Sequence, residues 1–371
     1  MLSRRSFLTH SASALATGSL LTGGQQSAKA NVAKGEIVWH DVRDWGVEGR
    51  GWDDTEKYFD RLPARAKGKV RSAVWNLSRH SAGMLVRFRT NSTSIHAHYK
   101  VTSTGLAMPH MPATGVSGLD LYAEDDKGNT RWLAVVKPNK QEMKLAIISG
   151  IIPGERTYTV YLPLYNGTEF LKIGVPAGCS FESLEPRKEK PLVFYGTSIT
   201  HGACASRPGM PHPAILGRRL NKPIINLGFS GNGKLEKEVG DFMCELDPAV
   251  YILDCLPNMV AKEVAERTEP FVKQLRSAHP ETPILMVEDR TYPNTPFLLR
   301  NQKRHATSRA EFQKAYQNLL KAGFKKMAYI KGETLLGEDR DDTTDGSHPS
   351  DLGFYRHAEV FEPALRKLLK T

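Results

Sequence analysis

Cysteine is scarce. The 371-residue chain holds four, Cys179, Cys204, Cys244 and Cys255, and none is spaced as a pair of zinc ligands. A zinc-ribbon or zinc-finger scaffold is therefore set aside. In an oxidising compartment one or two disulfides could form, with Cys204 and Cys255 the pair that would flank a site; free buried thiols are the alternative. Long apolar runs are missing too: the apolar stretch at 8–21 is short and rich in Ala, Ser and Gly, a poor membrane span. There is no internal repeat. The formal charge is +11, yet no basic block carries interleaved aromatics of the kind that tracks a phosphate backbone, which argues against a nucleic-acid partner. A mildly basic surface serves solubility, and it could also attract anionic polysaccharide or lipid headgroups over long range.

The first thirty residues contain no acidic side chain at all. Ser3-Arg4-Arg5-Ser6-Phe7-Leu8 resembles the twin-arginine motif, and Ala28-Lys29-Ala30 fits a small-x-small cleavage site. Residues 1–30 are expected to be an export signal, with the mature chain beginning near Asn31 in the periplasm or outside the cell.

The remaining length suits two domains. Residues 35–185 are strand-like. Alternating or apolar runs at 84–89, 94–99, 119–123, 132–136, 144–148 and 158–164 are separated by turn residues, and helical periodicity is nearly absent. This pattern predicts a β-sandwich, jelly-roll-like domain. The loop before the 119–123 strand holds Pro109, His110, Pro112 and Gly115. Asp120, at the start of that strand, either staples the loop or, with His110 and Tyr122, helps it overhang a substrate pocket. The charged, proline-flanked stretch 185–191 reads as a linker.

From 190 to 371 short strands alternate with helical segments. Strands are expected at 192–195, 223–227, 249–253, 283–287 and 327–330, and helices at 213–220, 235–246, 261–278, 308–322 and 352–369. That order predicts an α/β domain: a parallel sheet with helices on both faces. Ligands bind such sheets at the carboxyl ends of the strands. Ser198 follows the first strand after Gly196, and a Gly-rich loop containing Gly231 follows the second. Asn258 lies just past the third strand, and Asp345-Gly346-Ser347-His348 precedes the last helix.

Alone, the serine turn could be a phosphate loop or a helix cap, and Asp345-x-x-His348 could be a solvated turn or a metal pair. Together they supply every role of acyl transfer. Ser198 is a nucleophile, His348 the base that takes its proton, and Asp345 the carboxylate that orients the imidazole. The Ser198 and Gly231 N–H groups and the Asn258 amide are donors for an oxyanion.

These four blocks resemble the SGNH hydrolases, also called GDSL-like esterases, over 190–371. Gly118-Leu119-Asp120-Leu121-Tyr122 resembles the Gly-x-Asp-Leu-Tyr signature of the β-sandwich that precedes the hydrolase in a two-domain bacterial subgroup. Two blocks depart from the usual form: Gly196-Thr197-Ser198 stands for Gly-Asp-Ser, and Leu256-Pro257-Asn258 for Gly-x-Asn-Asp. The resemblance implies a three-layer α/β/α domain and ester hydrolysis through an acyl-enzyme, with no metal or organic cofactor.

The function expected is a secreted serine esterase that removes acyl groups, acetyl above all, from a carbohydrate, its partner being a small-molecule or polysaccharide ester. An acyltransferase with the same triad is one alternative; a glycan-binding protein with a degenerate hydrolase domain is another. Arg290, Tyr292 and Asp120 are further candidates for substrate binding, Arg290 having a structural ion pair with Asp289 as its other reading. Met259 and His201 are candidate pocket walls. Oligomeric state is not legible.

Overall fold

Alternating burial builds the first half. The computed structural model of the chain describes residues 35–370, so the expected export signal lies outside the described residues. Nine strands form two antiparallel sheets: β1 (Ile37–Asp41), β2 (Leu85–Thr90), β3 (Ser94–Val101), β4 (Asp120–Glu124), β5 (Thr130–Val135), β6 (Glu142–Ser149), β7 (Arg156–Tyr161), β8 (Thr168–Pro176) and β9 (Glu182–Leu184). Their orders are β1-β8-β3-β6 and β5-β4-β7-β2-β9. Ile95, Ala97, Tyr99 and Val101 of β3 point inward and meet Val86 and Phe88 of β2 and Tyr158 and Val160 of β7, making one sandwich core. Two short helices, α1 (Ser72–Leu77) and α2 (Ala113–Val116), interrupt the strands.

The second half is a three-layer α/β/α domain. Strands β10 (Leu192–Gly196), β11 (Ile224–Gly228), β12 (Val250–Asp254), β13 (Ile284–Val287) and β14 (Met327–Ile330) form a parallel sheet in the order β11-β10-β12-β13-β14. All five residues of β10, β11 and β12 are buried, as a sheet covered on both faces requires. The strand order reverses at β10, so the crevice between β10 and β12 is the place a ligand site is expected. Helices α3 (Ser198–His201), α4 (His212–Leu220), α5 (Lys237–Met243), α6 (Ala261–Ala278), α7 (Leu299–Lys321) and α8 (Asp351–Leu368) follow in turn. Phe194 and Ile252 pack toward α4 and α8 on one face. Tyr195 and Leu253 pack toward α5, α6 and α7 on the other.

Several features differ from expectation: β1, β8 and β9 lie outside the expected strands. Helix α7 begins at Leu299, nine residues before the expected start, because its first buried positions are the polar Asn301 and His305, which carry no apolar signal. More consequential is the segment around 52–75. Trp52, Leu62, Ala66, Val70, Val74 and Trp75 join the core beneath Tyr195, Leu227 and Phe242, so most of this stretch covers the parallel sheet, while Phe59 stays in the sandwich core. Residues 36–370 form one compact unit. Among the described residues no helix is long and apolar enough to cross a membrane.

Candidate active site

The turn after β10 is built for close approach. A Cβ on Gly196 would lie 2.1 Å from Thr200 Oγ1, so a side chain there would push α3 away from the strand. Thr197 caps α3, its Oγ1 accepting from the Ile199 N–H at 3.3 Å. Ser198 is the first residue of that helix, where its own N–H has no helical acceptor. Its Oγ lies 2.8 Å from His348 Nε2.

His348 is held by its own turn. Asp345 Oδ1 accepts from the Ser347 N–H at 2.9 Å and the His348 N–H at 2.7 Å, and Oδ2 lies 2.8 Å from His348 Nδ1. Burial alone would raise the Asp345 pKa, but these three bonds to Ser347 and His348 outweigh it and hold the carboxyl below its ordinary range. An ionised carboxylate can only accept, so the imidazole proton sits on Nδ1 and the Nε2 lone pair faces Ser198. The turn is clamped from below by Arg290, which is buried. Its Nε donates to Ser347 O and its Nη2 to Ser347 Oγ, each at 2.7 Å, and Nη1 donates to Asp289 Oδ1 at 2.6 Å.

The donor blocks gather at the same edge. Phe229 N donates to Gly196 O at 3.0 Å, tying the Gly-rich loop to the serine turn. Asn258 Nδ2 reaches that loop through two long bonds, to Gly233 O at 3.3 Å and Phe229 O at 3.5 Å. Gly231 is exposed in the left-handed region, with φ of 69° and open space where a Cβ would stand.

Beneath Ser198 lies a buried polar layer. Thr200 Oγ1 donates to Asp254 Oδ2 at 2.8 Å, linking α3 to the end of β12. Burial pushes the Asp254 carboxyl up to about 7 against the lowering effect of the Thr200 bond. His212 Nε2 is 3.8 Å from the same oxygen, and burial holds that imidazole neutral.

Cys204 is buried beside the triad with φ of 69°, and burial pushes its thiol up to about 11. One donor atom each from Cys204, Asp345 and His348 lies within 4.8 Å of the others. The carboxylate and imidazole are already bonded to each other and the thiol stays protonated, so this trio is not a preformed cation site. All four cysteines are free, and Cys204 and Cys255 form no disulfide.

Sequence reasoning missed two contributors from the first half, Arg61 and Tyr165, and named a third, His110. Arg61 is buried and donates to Gly228 O at 2.7 Å, Asn226 O at 3.0 Å and Leu77 O at 2.6 Å, pinning the base of the Gly-rich loop. Tyr165 donates to Ser198 O at 3.2 Å and stacks on His201. The exposed His110 ring lies 6.0 Å from that of His348. Its loop is fixed to the second half by the Thr114 Oγ1 bond to Ser206 O at 2.6 Å. Only His110 had a signal, its Pro- and Gly-rich loop; nothing marks Arg61 among 51 Lys and Arg residues.

Two expected substrate contacts, Asp120 and Arg290, are corrected, and Tyr292 is placed beside the second. Asp120 is fully buried and accepts from Trp132 Nε1 at 2.9 Å, Arg207 Nη1 at 2.9 Å and Gly209 N at 2.8 Å. It staples the sandwich to the loop after α3 and has no face left for a ligand. Arg290 is spent on Ser347 and Asp289, as above. Tyr292 supports that arginine, whose guanidinium lies 4.8 Å over its ring, and packs edge-on against His305. His201 and Met259 are wholly buried and form core, not pocket wall.

Known proteins share this architecture. A family model described as the GDSL-like lipase/acylhydrolase family matches residues 189–366, and the GxDLY model, the N-terminus of SGNH-hydrolase-type esterases, matches residues 37–181. A crystal structure described as a GDSL-like lipase of Bacteroides ovatus superposes with a TM-score of 0.86 at 34% identity, covering 90% of this chain and 98% of that one. The salicylyl-acyltransferase SsfX3 from a tetracycline biosynthetic pathway gives a TM-score of 0.72 at 20% identity, covering 90% and 97%. An acetyl xylan esterase from the rumen bacterium Butyrivibrio proteoclasticus gives 0.55 at 11% identity, covering 90% and 99%. No curated protein matches the chain. The chain belongs to the GDSL-like lipase/acylhydrolase family of SGNH-type esterases, with the GxDLY domain at its N-terminus. It is an esterase-class enzyme.

Proposed function

We propose that this enzyme is an exported serine esterase that releases acyl groups, acetyl foremost, from a carbohydrate. The observation that carries the catalytic part is the continuous relay Asp345–His348–Ser198, with both links at 2.8 Å. His348 Nε2 accepts the Ser198 proton as Oγ attacks the ester carbonyl, and Asp345 stabilises the resulting imidazolium. The tetrahedral oxyanion is met by the Ser198 and Gly231 N–H groups and the Asn258 amide. His348 then returns its proton to the departing alcohol, leaving Ser198 acylated. Water, activated by the same imidazole, releases the acid.

The carbohydrate and acetyl parts are supported by the acetyl xylan esterase that shares the fold, and by the His110 loop through which the sandwich meets the site. The salicylyl-acyltransferase likeness favours one second reading, in which a non-water alcohol accepts the acyl group. The chemistry up to the acyl-enzyme is the same.

The test is p-nitrophenyl acetate turnover by the mature protein and by Ser198→Ala, followed by acetate release from acetylated xylan. Activity in the native protein should fall by roughly 10⁴–10⁶ in the variant. Equal turnover by both proteins would remove Ser198 from the mechanism, and added alcohol acceptors separate transfer from hydrolysis.

A further inference from the structure

A second surface stands apart from the triad. Where β4 and β5 of the sandwich face α4 and α8, an open groove is lined by Arg131, Arg207, Arg218 and Arg219, and no acidic residue lines it. Three of these arginines are placed by carboxylates on their far side. Arg131 Nε donates to Asp125 at 3.0 Å, Arg207 to Asp120 at 2.9 Å and Arg219 to Glu362 at 3.2 Å. Each guanidinium has further N–H groups beyond these bonds.

Arg218 is different. Among the described residues it has no carboxylate within ion-pair distance; Tyr161 and, from farther off, Asp120 act on it, but its Nη1 is shut off from solvent without an acceptor. Its guanidinium lies 4.3 Å over the Tyr122 ring and 5.4 Å from Tyr161. Aromatic faces offset part of the cost of burying a cation, but a counter-charge offsets far more. Exposed rings flank the arginines. Tyr355, 47% exposed, carries Arg219 at 4.4 Å, and Trp132, 49% exposed, carries Arg207 at 4.9 Å. Cationic forks stacked on partly exposed rings suit a ligand with an apolar surface and regularly spaced anions.

We propose that this groove binds an anionic polysaccharide segment, its uronate carboxylates or sulfates pairing with Arg131, Arg207, Arg218 and Arg219. The inference rests on the carbohydrate-esterase reading and narrows it: the ester-bearing chain is acidic, and the groove holds a part of it away from Ser198. The net positive charge that remains without residues 1–30 adds general attraction, which the groove focuses.

The test uses the full mature chain carrying Ser198→Ala, so that bound ligand is not turned over. Its retardation in native gels containing polygalacturonate, dextran sulfate or neutral xylan is compared, with single-stranded DNA as a fourth matrix. One of the two acidic polysaccharides should bind at least about tenfold more tightly than xylan. Which one does so separates carboxylate from sulfate. Arg131→Gln with Arg219→Gln, both partly exposed, should weaken that binding about tenfold. Lys262→Gln with Lys273→Gln, which removes the same charge from α6, should not. Equal retardation by neutral xylan, equal loss in both double variants, or DNA binding as tight as polysaccharide would each overturn the proposal. Esterase turnover by the native protein is measured separately, so failure of the catalytic reading and of the groove are distinguishable.

Discussion

Asp254 shows how a single buried group makes this site sensitive to pH. Its carboxyl sits under the nucleophile, pushed up to about 7 by burial, and it accepts from Thr200 two residues along α3 from Ser198. In the unfolded chain it ionises at the ordinary carboxylate value, so between about pH 4 and 7 the native state holds a proton that the unfolded state has lost. Stability from this group is therefore fully present at low pH and lost as pH rises through about 7. In Asp254→Asn the amide oxygen can still accept from Thr200 but cannot titrate. Urea midpoints across pH 4.5–7.5 should fall less with pH in the variant, the difference amounting to a few kcal/mol. Parallel profiles would show that Asp254 does not titrate in this window. The sequence placed this aspartate at a strand end; its burial was invisible, because that depends on which helix covers it.

The turn from Asp345 to His348 is the element on which catalysis depends, and Arg290 is its clamp. Two bonds of 2.7 Å from one guanidinium fix both the backbone and the side chain of Ser347, next to His348. Arg290→Met would leave Ser347 O without that donor and Asp289 without its buried partner. kcat should fall about 10²-fold with KM little changed, since the ring is misplaced and the pocket is not. Arg290→Lys should restore part of kcat. A matched rise in KM would return Arg290 to substrate binding. Legibility at this scale follows chemistry. The Asp345–His348 spacing, the five parallel strands and their edge residues could all be read, because apolar runs and turn residues report directly on a sheet covered on both faces. Strand β8 carries a Gly and ends in Pro, and the start of α7 buries Asn301 and His305; both escape a reading based on apolar periodicity. Arg290 followed a strand into the right neighbourhood, but nothing in its spacing says whether it points at ligand or at protein.

At the scale of the molecule, export and architecture set the context. Residues 1–30 are proposed to direct twin-arginine export, which accepts proteins already folded. Arg4→Lys with Arg5→Lys should leave the enzyme in the cytoplasmic fraction, and continued appearance outside the membrane would remove that assignment. The two family matches meet at a short linker, and the sequence reads as two modules in series. The folded chain is not partitioned that way. Trp52, Leu62, Val70 and Trp75, all within the first module, roof one face of the parallel sheet, and Arg61 pins the loop beside the nucleophile. Recombination or engineering that joined a foreign partner at the linker would strip the hydrolase of part of its own wall. In this architecture the inherited unit is the pair, and swaps that respect it must cut around residues 52–75 as well as at the linker.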